Sequence, residues 1–104
     1  MTTIKNETDL SLTLSKTTSV VLAKTRTCSV CGAIKERLEY IEDYYKDVFF
    51  SEIYIEDVPT FSGQHLVFTV PTVLVFYEGK EILRESRFVS VDNVVKVLNK
   101  IKDN

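Results

Sequence analysis

The chain has 104 residues, 44% of them hydrophobic and 27% charged, with a formal net charge of -2. That length suits one domain, residues 1–104, with one modest core, and so average a composition excludes general disorder and a disulfide-dense scaffold. The slight acidity argues against a phosphate-tracking surface, no apolar run reaches membrane-spanning length, and residues 1–15 lack a leader's apolar core; a soluble cytoplasmic protein is expected, with neither nucleic acid nor membrane as partner.

Near the start, Leu10, Leu12 and Leu14 alternate like a strand, but Leu10 and Leu14 also stand one helical turn apart, and a helix is expected there. Residues 20–23, Val-Val-Leu-Ala, form a short β-branched apolar run that reads as a buried strand. The polar stretch Lys24-Thr25-Arg26-Thr27 follows, then Cys28-Ser29-Val30-Cys31 with the only two cysteines. From about 29 to 45, Ile34, Leu38, Ile41 and Tyr45 recur at helical spacing, with Lys35, Glu36, Glu39, Glu42 and Asp43 on the other faces. Residues 49–55 are aromatic and β-branched, so they predict a second strand, parallel to the first because a helix links the two.

Asp57 or Thr60 is positioned to cap a short helix toward Leu66, which Gly63 weakens. Pro71 then precedes the run 72–77, which predicts a central, buried strand. Glu78-Gly79 reads as a tight hairpin into Glu81-Ile82-Leu83, with glycine taking the positive φ. Ser90 caps a closing helix whose stripe is Val91, Val94, Val95, Leu98 and Ile101, with Asp92 in its first turn and Lys100 and Lys102 in its last.

Two thiols at a strand-to-helix junction point to redox chemistry. Only a thiolate is nucleophilic, and a helix N-terminus can lower a cysteine pKa to roughly 3.5–7.5. Cys28 is thus the expected attacking thiol and Cys31 the resolving one. The same spacing also makes half of a structural zinc site, so two subunits together would supply four thiolates to zinc or an iron–sulfur cluster. A pair of small buried apolar residues is the plainest alternative. Lys24 and Arg26 are near enough in sequence to lower the Cys28 pKa electrostatically but read first as exposed, solvating basic residues beside a loop, the single His65 as a surface or edge residue, and Tyr40 and Tyr44 as surface aromatics.

The element order β, α, β, α, β, α, β, β, α, with Cys28-Ser29-Val30-Cys31 after the first buried strand and Val70-Pro71-Thr72 opening a later one, resembles the thioredoxin family. The Glu78-Gly79 hairpin and the terminal amphipathic helix add to the resemblance, which spans essentially all of the chain. It implies an α/β thioredoxin fold: a central mixed sheet of four to five strands with helices on both faces. It also implies a cis Pro71 facing Cys28, with the backbone of Val70 pairing with an extended substrate segment. The implied activity is reduction of protein disulfides by the Cys28/Cys31 dithiol of a monomer without a bound cofactor, regenerated by a thioredoxin-reductase-like flavoprotein. The chain departs from the family pattern in five places. Ser-Val stands between the cysteines in place of Gly-Pro, Thr27 replaces a tryptophan, and Leu22 replaces a buried aspartate. Glu52 stands where that aspartate's lysine partner belongs, where it reads as a solvated carboxylate, and the glycine expected near Phe88-Val89 is missing. These departures leave open a second function, a thioredoxin-fold binding or scaffolding module with little redox turnover.

Overall fold

The computed structural model describes residues 1–103; the last residue of the expected 1–104 domain, Asn104, lies outside them. Five strands and four helices follow one another as β1 (Thr2–Ile4), α1 (Glu7–Leu14), β2 (Thr18–Lys24), α2 (Cys31–Glu42), β3 (Phe49–Tyr54), α3 (Pro59–His65), β4 (Thr72–Tyr77), β5 (Lys80–Ser86) and α4 (Val91–Lys102). The sheet order is β1-β3-β2-β4-β5. β1 and β2 each run parallel to β3, while β4 runs antiparallel to both β2 and β5. This is the expected mixed α/β sheet. β2, rather than β4, occupies its centre, and every residue of β2 is buried.

The two-residue period of the strands divides the interior. Val21 and Ala23 of β2 join Leu10, Ile53, Val58, Phe61, Leu74 and Phe76 on the α1 and α3 side. Val20 and Leu22 join Ile34, Leu38, Phe50, Val73, Val75, Val94 and Leu98 on the α2 and α4 side. Both faces of the sheet are therefore covered, as the near-continuous apolar runs of β2 and β4 require.

Local chemistry explains the element ends. Asn6 caps α1 through its side chain to the Asp9 N–H, and Ser90 caps α4 through the Asn93 N–H at 3.2 Å. α2 is shorter than its apolar spacing predicts. Tyr45 leaves the helix and instead donates its hydroxyl to Asn99 Oδ1 at 2.7 Å. α3 begins at Pro59 behind Val58, so neither Asp57 nor Thr60 is its cap; proline's fixed φ suits a first helical turn, and Asp57 is held elsewhere by Arg26. In the hairpin both Glu78 (φ 51°) and Gly79 (φ 81°) are left-handed, not glycine alone.

Candidate active site

The register fixes which loops meet. β2 ends where β4 begins, since Ala23 pairs with Thr72, and β4 begins where β5 ends, since Thr72 pairs with Ser86. The loops after β2, before β4 and after β5 therefore share one end of the sheet. The Arg87 N–H donates to the Pro71 carbonyl at 2.9 Å, tying two of them together.

Cys28 and Cys31 form a disulfide, with Cα atoms 5.5 Å apart. Cys28 lies in the turn after β2, its N–H bonded to the Thr25 carbonyl, and is half-buried; Cys31 opens α2 and is 2% exposed. Cys28 is thus the more exposed residue of the pair. No side chain caps the start of α2 and no acidic residue lies in its first turn, so its free N–H groups and positive dipole end stand uncompensated beside the sulfurs. The Val70–Pro71 peptide is cis, as expected. Val30, Phe68 and Phe88, one from each of the three loops, are 54%, 74% and 93% exposed. Among the described residues no three His, Cys, Asp or Glu side chains converge as a metal-holding group.

No protein-family model matches the sequence. A thioredoxin-like protein of Bacillus subtilis is 35% identical over 74 residues, spanning 71% of this chain and 66% of its own length. A thioredoxin of Chlamydia caviae is 28% identical over 72 residues, spanning 69% of this chain and 71% of its own. Among solved structures, Plasmodium falciparum thioredoxin superposes with a TM-score of 0.84 over 96% of this chain and 98% of that one, at 14% identity. The chain belongs to the thioredoxin family.

Within that thioredoxin framework the departure at Glu52 takes physical form between β2, β3 and α2. Glu52 is not solvated. It is 2% exposed and makes ion pairs of 2.5 Å with Lys24 Nζ and 2.6 Å with Lys35 Nζ. Lys24 is not an exposed loop residue either, because it ends β2 buried, with its ammonium 4.6 Å from the centre of the Tyr54 ring. Burial works against ionised Glu52, yet the hydrogen bonds and charges of the two lysines outweigh it and hold the carboxyl below its ordinary value. The same balance, burial opposed by Glu52 and Tyr54, leaves Lys24 raised.

Arg26 is engaged with carboxylates. It grips Asp57 through both guanidinium nitrogens, at 2.9 and 2.7 Å, and its N–H meets Glu56 at 3.0 Å. His65 is more enclosed than a surface residue, its ring 5.0 Å from Phe61 and 5.4 Å from Phe76. Tyr40 and Tyr44 are exposed, as expected. Lys35 is the residue that spacing alone passes over. It follows Cys31 by one helical turn, but its ionic partner lies on a strand whose register is invisible in the sequence.

Proposed function

We propose that residues 1–104 form a single-domain, monomeric thiol-disulfide oxidoreductase that reduces protein disulfides through Cys28 and Cys31. The asymmetry of the cysteine pair carries the reading: Cys28 half-buried ahead of α2, Cys31 buried in its first turn. The Cys28 thiolate attacks one substrate sulfur, forming a mixed disulfide and releasing the other as a thiolate. Cys31, as thiolate, then attacks Cys28 Sγ, which frees the second substrate thiol and closes the internal disulfide. Two electrons pass to the substrate. A dithiol donor or a thioredoxin-reductase-like flavoprotein returns them, and a reducing compartment such as the cytoplasm suits that direction.

The cis Val70–Pro71 bond and the apolar exposure of Val30, Phe68 and Phe88 support docking of an extended, partly apolar substrate segment alongside Cys28. Among the described residues the Val70 N–H and C=O carry no intramolecular hydrogen bond, which leaves them for a substrate backbone. The test is insulin reduction driven by dithiothreitol. The chain is expected to accelerate it, Cys28→Ser to fall to the uncatalysed rate, and Cys31→Ser to accumulate a mixed disulfide at Cys28. Acceleration that survives Cys28→Ser, or none by the unaltered chain, defeats the reading and favours a binding module.

A further inference from the structure

Where β2, β3 and α2 meet, one helical turn past Cys31, lies a three-residue ionic cluster with unequal charge. Lys24 on β2 and Lys35 on α2 share one carboxylate, Glu52 on β3, so the cluster carries one surplus positive charge. Glu52 is 2% and Lys24 8% exposed, and Lys35 lies one turn beyond Cys31, itself 2% exposed. Charges so placed are screened far less than surface ones. The other charges nearby, Arg26 with Glu56 and Asp57, are solvent-exposed and paired among themselves. Tyr54, between Lys24 and Arg26, is held to their cations by its ring face.

We propose that this cluster sets the redox poise of the pair, Lys24 and Lys35 acting as positioning charges that favour the anionic, reduced dithiol over the disulfide, first at Cys31. The inference rests on the oxidoreductase reading above. When two glutathione thiols reduce the disulfide, the Cys28–Cys31 S–S bond breaks and one glutathione disulfide forms. The two electrons then reside on Cys28 and Cys31, and of the two protons released by glutathione, one or both are kept by the protein according to pH. A nearby cation stabilises whichever sulfur stays unprotonated, which lowers its pKa and makes the pair a stronger oxidant; a nearby anion does the reverse.

The test is equilibration of the folded chain with a glutathione redox buffer at neutral pH, together with the pH titration of thiolate absorbance. Lys35→Met is expected to shift the equilibrium toward the disulfide by about threefold to tenfold, tenfold being about 30 mV for a two-electron couple, and to raise a cysteine pKa. Glu52→Gln is expected to shift both in the opposite direction, and Lys35→Arg to leave both near the original values. Should Glu52→Gln fail to fold, Lys24→Met replaces it and must move the equilibrium the same way as Lys35→Met. Shifts below twofold, a common sign for Lys35→Met and Glu52→Gln, or a change in Lys35→Arg as large as in Lys35→Met overturn the proposal while leaving dithiol chemistry standing. An unaltered chain that never equilibrates with glutathione overturns both.

Discussion

Glu52 is tolerated in the interior because two ammonium groups reach it from different elements. Lys24 is its diagonal neighbour across the β2–β3 ladder, since Leu22 pairs with Glu52 and Lys24 with Tyr54, and Lys35 comes down from α2. Removing only the carboxylate strands Lys24 in the core without its anion, and breaking a buried pair in this way costs about 3–5 kcal/mol. Glu52→Leu should therefore lower the urea midpoint sharply. Lys24→Met combined with Glu52→Leu should recover most of that loss, because an apolar pair of similar volume is close to neutral there and half-exposed Lys35 can turn to water. A single-variant cost under about 1 kcal/mol would contradict this account. The Cys28–Cys31 disulfide was legible from the spacing of the two thiols, and the cis bond at Pro71 from the thioredoxin resemblance. The Glu52 cluster was not, since a glutamate among aromatic neighbours reads the same whether it faces water or a lysine from another strand.

The elements read best were those whose pattern is long. α4 carries its cap, its stripe and its terminal charges within one segment, and α2 its helical spacing, so both were predictable; the true end of α2 was not, because Tyr45 keeps the apolar spacing while its hydroxyl is drawn to Asn99. β1 was not assignable to residues, because three residues show no period and its pairing to β3 lies far along the chain. The β4–β5 hairpin shows how local conformation carries cost. Both loop residues are left-handed, and Glu78 has a Cβ that disfavours this while Gly79 does not. Glu78→Asn should stabilise the hairpin by about 0.5 kcal/mol, and Gly79→Ala should destabilise it by about 1 kcal/mol. The Cβ of that alanine would meet only the Leu14 carbonyl, at 3.7 Å, so the loss would be conformational rather than steric. Urea unfolding of both variants checks the signs, and a Gly79→Ala variant as stable as the parent would show that the turn relaxes to another type.

Proton linkage acts on the molecule in one direction through the neutral and acid range. Burial between Phe61 and Phe76 pushes His65 below its ordinary 6.5, the lysines hold Glu52 low against its burial, and hydrogen bonds from Arg26 and Arg84 lower Asp57 and Glu81. A group that binds its proton less readily when folded adds stability above its unfolded value and loses it as pH falls through the folded one. Histidine and carboxylates thus push the same way. The raised groups, Lys24, Arg26 and Arg84, contribute throughout this range and would lose their share only in strong alkali. Exposed Asp57 adds least because water and salt screen its pairing. The urea midpoint should accordingly be flat above about pH 7, decline gently below about 6.5 and fall steeply below about 4.5. His65→Phe, which keeps the aromatic packing without the proton, should abolish the gentle decline and leave the steep one. A midpoint that rises between pH 7 and 5, or a decline there that survives His65→Phe, would mean another group governs the window.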